Sequence, residues 1–194
     1  MARPKQFDPE VALLKAMNLF WEHGFNGTSI EELVQATGVN RASLYSTYGD
    51  KRSLFIKALS CYRHKTLEPQ IKQMTQSGDI LSYLERMLNP ETINDPCSES
   101  QLTLGCFLAN CVTELGESDP EVTELTQEFF QEIRQAIENG IAKEMQTRPW
   151  NTDSSPAEVA GVIFTILMGV RVLNRNGLEL DWAQKSIKML RKVL

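Results

Sequence analysis

Thr28-Ser29-Ile30-Glu31-Glu32-Leu33-Val34-Gln35-Ala36-Thr37-Gly38-Val39-Asn40-Arg41-Ala42-Ser43-Leu44-Tyr45-Ser46-Thr47-Tyr48 is the stretch on which the reading of this 194-residue chain turns. Thr28 and Glu31 have the spacing of a capping box, in which each satisfies the other's backbone N–H, so a helix is expected to open at Thr28. Ile30, Leu33 and Val34 give that helix one apolar face, and Gly38 stops it. Asn40 is a favourable N-cap for a second, shorter helix over Arg41–Ser46. Helix, glycine turn and short helix form the anatomy that lets an α-helix enter a major groove.

The residues that follow suit that task. Arg41, at the start of the second helix, carries the planar fork that reaches guanine O6 and N7 or a phosphate. Ser43, Tyr45, Ser46 and Thr47 supply hydroxyls for phosphates or base edges. Gly49-Asp50 breaks and recaps the chain, leaving Lys51 at the mouth of the next helix, an ammonium beside free N–H groups and a natural phosphate seat. The arm Arg3-Pro4-Lys5 adds a backbone or minor-groove contact. Spacing alone leaves a plainer reading open, in which these are the surface polar residues of a small three-helix bundle.

Outward from this stretch nearly every segment reads as helix, and no alternating strand stands out, so the expected fold is all-α. Asp8-Pro9-Glu10 starts the first helix, with Leu13, Ala16, Met17 and Phe20 on one face and Gly24 at its end. Leu54, Phe55, Ala58, Leu59 and Tyr62 place a fourth helix over residues 51 to about 66. Ile80–Leu88 is short and amphipathic, and Asn89–Ser100 reads as a loop. Leu104, Phe107, Leu108, Cys111, Val112 and Leu115 form a helical stripe. Asp119-Pro120 opens a long helix carrying Val122, Leu125, Phe129, Ile133, Ile137 and Ile141, and residues 148–156 read as a loop. Residues 157–174 are apolar almost all round, and Asp181 begins a last helix with Ala183, Ile187, Leu190 and Leu194. A helix apolar on every side is buried on every side, which predicts a homodimer through the last two helices, the other reading being a central core helix in a monomer.

Composition bounds the rest. Hydrophobic residues make up 42% and charged residues 23%, ordinary for a globular protein. The start has no apolar stretch like a secretion signal, and the longest apolar run, Val159–Val170, is short of the roughly 20 residues that cross a bilayer. Cytoplasmic location and no membrane partner are the expectation. Residues 1–65 hold nine Lys/Arg against six Asp/Glu, a net +3, whereas residues 66–194 carry a net −8. That asymmetry fits a small DNA-facing module on an acidic body. Cys61, Cys97, Cys106 and Cys111 show no CxxC or Cys/His spacing, and with only His23 and His64 present no metal site or cofactor is expected. The same poverty, with no glycine-rich phosphate loop, argues against an enzyme.

The run from Gly24-Phe25-Asn26-Gly27-Thr28 through Ala36-Thr37-Gly38-Val39-Asn40-Arg41 to Tyr48-Gly49-Asp50-Lys51-Arg52-Ser53-Leu54-Phe55, with Ala16, Asn18, Leu19 and Phe20 before it, closely resembles the TetR family of repressors. The resemblance implies about nine helices. Residues 1–50 would be the helix-turn-helix DNA-binding domain and 51–194 a ligand-sensing and dimerising domain, connected by the helix from 51 to about 66. It implies double-stranded DNA with a palindromic operator as partner and release by a small-molecule inducer. By position, Thr28, Asn40, Arg41, Ser43, Tyr45, Ser46, Thr47 and Lys51 match the family's DNA-contacting places, while Leu44 and Tyr48 match packing places. Arg52 departs from the pattern, standing where the family usually has an acidic residue; it forfeits a dipole partner and offers another phosphate contact.

In the sensor half, Cys111 falls inside the apolar stripe and Cys106 on the opposite side, with Asn110 and Thr113. A thiol at a helix start is favoured as thiolate, and Gly105-Cys106 resembles the arrangement in family members that sense oxidants or electrophiles. A redox or electrophile switch at Cys106 is one reading, and a small residue packed against a neighbouring helix is the other. Phe107, Phe129, Phe130, Met145 and Trp150 are candidates to line an apolar pocket. A third functional reading is a helical interaction protein that does not bind DNA.

Overall fold

The computed structural model describes residues 7–87, 104–148, 150, 153–175 and 181–193. The arm Arg3-Pro4-Lys5, the expected loop at Asn89–Ser100, and Cys97 lie outside them. Among the described residues there are helices and no strands: α1 Pro9–His23, α2 Ile30–Thr37, α3 Arg41–Tyr48, α4 Lys51–Tyr62, α5 Glu68–Gln76, α6 Ile80–Met87, α7 Phe107–Leu115, α8 Pro120–Thr147, α9 Pro156–Asn174 and α10 Asp181–Val193. A π-helical turn, Arg63–Leu67, joins α4 to α5 without leaving helical backbone, so these two form one continuous rod. Counting that rod once gives the nine or so helices that the resemblance implies.

The helix boundaries follow capping chemistry. Asp8 accepts from the Glu10 and Val11 N–H groups, with Pro9 at the first helical position. Asn40, Asp50, Asp119 and Ser155 cap α3, α4, α8 and α9 through their side chains. The capping box at α2 is displaced by one residue from the expected place: it pairs Ser29 with Glu32, not Thr28 with Glu31. Thr28 instead turns inward and donates its hydroxyl to the Gly24 carbonyl at 2.6 Å.

One buried core runs through the chain without a break at residue 50. In its centre Phe107 of α7 meets Phe55 and Tyr62 of α4 edge-on, with centroids 5.8 and 5.6 Å apart. Phe20 and Trp21 of α1 close the same cluster. Such aromatic contacts each add roughly 0.5–1.5 kcal/mol beyond area burial, so the first four helices are welded to the body through α7. The long α8 lies against α5, α6, α7 and α9. Its Val122, Phe129, Ile133, Ile137 and Ile141 are buried, as the periodicity predicts. On α7, Val112 departs from the stripe and faces solvent, while Asn110 on the other side is buried and donates to the Leu104 carbonyl. Leu104 itself precedes the helix.

An 18-residue stretch of α9, Pro156–Leu173, has a mean hydropathy of 1.7, long and apolar enough by composition to cross a membrane. It exceeds the uninterrupted apolar run seen in the sequence because it reaches past Glu158 and Arg171 to further apolar residues. Val159, Ala160, Ile163, Leu167 and Val170 fill the core, whereas Val162 and Val172 are 51% and 44% exposed. The helix is thus buried on one side by its own chain, not all round.

Candidate nucleic-acid interface

The recognition geometry begins with what holds α3. Gly38 adopts the left-handed backbone (φ 72°) that turns the chain out of α2. Val39 is buried behind it, and the Thr37 hydroxyl accepts the Val39 N–H. Leu44 and Tyr48 face the core, and the Tyr48 hydroxyl donates to the Pro9 carbonyl at 2.5 Å, tying α3 to the start of α1. Lys57 of α4 donates to the Tyr48 carbonyl at 2.7 Å, setting a cation on the negative end of α3. Lys57 was not a sequence candidate; its signal is its place nine residues after the carbonyl it closes.

With one face anchored, the other is presented. Arg41, Ala42, Tyr45 and Ser46 are exposed, and Ser43 and Thr47 half-buried. The Arg41 guanidinium lies 5.4 Å from the Tyr45 ring centroid and 3.5 Å from a Glu31 carboxylate oxygen, so α2 and Tyr45 both orient it. Lys51 rests its ammonium 4.4 Å from the centroid of Phe25, beside the N-terminus of α4. Two expected contacts are spent internally. The Asn40 oxygen accepts the Ser43 N–H at 2.9 Å, and Thr28, 1% exposed, has given its hydroxyl to Gly24.

Arg52 also departs from its expected role. Its guanidinium grips Asp119 through two hydrogen bonds of 2.7 Å and Glu121 through a third. Hydrogen bonding to Asp119 raises the guanidinium's already high pKa, and the same contact holds the Asp119 carboxyl below its ordinary range. The arginine that would have met a phosphate is directed at the acidic body. Two further ties join the halves. The Glu114 carboxylate accepts the Phe25 N–H at 2.9 Å and the Asn26 N–H at 2.6 Å, and Arg175 donates to the Glu22 carbonyl at 3.1 Å. None of these ties is local in sequence.

Behind α4 lies a cavity of about 30 Å³, walled among others by Tyr62, Leu67, Met74, Cys106, Leu167 and Arg171. Cys106 is the N-cap residue of α7 and is buried, with the Tyr62 hydroxyl 4.0 Å from its sulfur. Cys111 is buried in the core, and burial pushes its thiol pKa strongly up. Of the five candidates for an apolar pocket none lines this cavity; Phe107 and Phe129 are core, and Phe130 packs on Phe164. His64 meets solvent and pairs with Glu68. Among the described residues no group of His, Cys, Asp and Glu is arranged to hold a metal ion.

Residues 12–58, which span this whole arrangement from α1 into α4, match the model of the family described as bacterial regulatory proteins, tetR family. Over this segment the chain is similar to that family. It is similar over nearly all its length to further TetR-type regulators. It is 26% identical over 185 residues to the uncharacterized HTH-type transcriptional regulator YezE of Bacillus subtilis (strain 168), covering 95% of this chain and 90% of that one. It is 26% identical to the HTH-type transcriptional repressor ComR of Escherichia coli (strain K12), covering 92% and 85%. In fold it matches a cysteine variant of the TetR family regulator CifR solved with operator DNA (TM-score 0.79, 21% identity, 97% of each chain). It also matches reduced NemR of Escherichia coli (TM-score 0.77, 14% identity, 95% and 96%). These likenesses all point to a DNA-binding transcriptional regulator.

The tie at Arg52 has a measurable signature. A carboxyl held below its ordinary value by the fold stabilises the fold above that value, and the contribution fades as the carboxyl is protonated. Wild-type protein is expected to lose this contribution as pH falls below 3.8, the ordinary aspartate value. In Arg52→Met the Asp119 carboxyl should return toward 3.8 in a carboxyl NMR titration; an unmoved value would refute the assigned partnership.

Proposed function

We propose that this regulator is a repressor that binds a palindromic operator as a homodimer and is released by a small-molecule inducer. The observation that carries the reading is the position of the cavity. Tyr62 on its wall ends the helix that starts at Lys51, and Cys106 on its wall caps the helix whose other end carries Glu114. A ligand entering there presses on both helices that reach the first fifty residues, favouring a conformer whose recognition helices are wrongly spaced for successive major grooves. On this reading residues 1–50 bind DNA and residues 51–194 sense and dimerise, with 51 to about 66 as connection. Arg41, Ser43, Tyr45, Ser46, Thr47 and Lys51 make the contacts, while Asn40 serves chiefly as a cap. ComR is named a repressor, and the CifR variant was solved on operator DNA, which agrees with the reading.

The homodimer is supported by the outer face of α9. Val162, Thr165, Gly169 and Val172 line up there, exposed, and a Cβ at Gly161 or Gly169 meets nothing within its own chain. Small residues at that spacing let a second helix approach closely, and an apolar face of this kind seeks cover. A chromosomal operator places the protein in the cytoplasm.

A second reading makes Cys106 the switch. What favours it is the thiol's place on the cavity wall at the head of α7, beside Tyr62. A peroxide would transfer one oxygen to the sulfur, giving a sulfenic acid and water (alcohol, for an organic peroxide), and the added oxygen would have to be housed against Tyr62.

Three measurements test these readings. Operator fragments selected from genomic DNA should bind with strong salt dependence. Arg41→Ala should cost roughly 1–3 kcal/mol with relaxed specificity, and Lys51→Ala should lower the salt slope by about one; salt-independent binding, or none, points to the interaction-protein reading. In sedimentation equilibrium Gly169→Arg should run as monomer where wild type runs as dimer, and an unchanged mass removes α9 from the interface. Cys106→Ser should bind operator normally and resist release by hydrogen peroxide; release like wild type sinks the cysteine switch.

A further inference from the structure

The cavity behind α4 is mostly apolar, and its polar lining residues are Tyr62, Gln70 and Arg171. Among the lining side chains, beyond the Tyr62 hydroxyl itself, only the neutral carboxamide of Gln70 and the weak Cys106 sulfur can accept, so the lining holds a cation and no anion. Tyr62 is 4% exposed, and the partner its hydroxyl finds is the Cys106 sulfur at 4.0 Å, a weak acceptor. Arg171 of α9 is half-buried on the same wall. Arg52, Arg63 and Arg191 each hold a carboxylate, but among the described residues none pairs with Arg171. Tyr62 and Arg171 line the same cavity, and while burial pushes the pKa of the Tyr62 hydroxyl up, the Arg171 charge pulls it the other way. A guanidinium offers five N–H donors and no acceptor, and holding it half-buried without a counterion is costly.

The apolar lining has a different character. Met74 of α5, Met87 of α6 and Met168 of α9, the last one turn from Arg171, belong to it. Unbranched thioether side chains reorient at little cost and adapt to irregular apolar shapes. At about 30 Å³ the closed cavity holds one or two waters, so a larger occupant enters by turning these side chains aside. A bare anion would satisfy the donors and leave the methionines unused, and a neutral hydrocarbon would do the reverse.

We propose that this cavity takes an amphipathic anion, its carboxylate or like oxyanion seated between Arg171 and Tyr62 and its apolar body against the three methionines. The inference rests on the reading of the protein as a ligand-released regulator and names the class of that ligand.

Decanoate and decanol, titrated into the full-length chain by calorimetry, test it. Decanoate should bind more tightly than decanol. Arg171→Met should weaken decanoate roughly ten- to a hundredfold, the range of a charge-assisted hydrogen bond, and leave decanol unchanged. Arg171→Lys should recover part of the loss, which separates lost charge from lost folding. Equal affinity for the two probes, binding of neither, or decanoate affinity unchanged in Arg171→Met would overturn the proposal. Operator binding is read separately: decanoate held through Arg171 without loss of operator affinity leaves the site standing and removes the ligand-released reading.

Discussion

Glu114 holds the turn between α1 and α2 from 89 residues away along the chain. Two consecutive backbone N–H groups, those of Phe25 and Asn26, spend themselves on one carboxylate. Charge-assisted bonds of this kind are worth about twice a neutral one, and leaving such donors unmet costs more than the bond gains. Gly24 makes the approach possible: its φ of 78° suits glycine, and a Cβ there would meet the Glu114 carboxylate at 2.6 Å. The placing of α2, and through it α3, thus depends on where α7 sits.

That dependence gives the short α7 an outsized role. Its first turn abuts the cavity through Cys106, and Gly105 lets the chain pack against the Arg171 carbonyl on α9, where a Cβ would collide. Its middle is locked among Phe55 and Tyr62 by Phe107, and its last turn carries Glu114. The loop that follows delivers Asp119 to Arg52. A nine-residue helix with both ends committed has little freedom to bend, so a displacement at one end reappears at the other. Packed elements of this sort switch between arrangements rather than deform smoothly.

Much of this was legible in the sequence where the physics is local. Asp8-Pro9, Asn40 and Asp119-Pro120 each announced a helix start because a cap is read from residues within one turn of it. Residues 28–32 offered two overlapping capping boxes, Thr28 with Glu31 and Ser29 with Glu32, and the sequence pattern ranks neither. The backbone chose Ser29, because the Thr28 hydroxyl is needed by the Gly24 carbonyl at the preceding turn. Arg52 could be seen to break a pattern, but its partners lie 67 and 69 residues on, beyond any local rule. The π turn at Arg63–Leu67 has no compositional marker, and neither has the cavity. Aromatic side chains fill volume and so become core, whereas the cavity is left where unbranched methionines and Arg171 converge.

The apolar character of α9 has two causes that the sequence merges into one. Leu167, Met168 and Arg171 look inward to the cavity, while Thr165, Gly169 and Val172 look outward, and the two sets interleave along two turns of the same helix. A 3.6-residue repeat places Arg171 and Val172 about 100° apart, so the helix cannot rotate to follow one set without moving the other. In the proposed dimer, a counterion drawn to Arg171 and a second subunit drawn to Val172 would act on one rigid body. Two recognition helices must sit roughly 34 Å apart to enter successive major grooves, and a small tilt of α9 at the centre of a dimer is magnified at that distance. On that proposal, linking the cavity wall to the outer face through a single helix would make the spacing of the DNA-reading elements sensitive to what fills the cavity, without any contact between ligand and DNA-binding half.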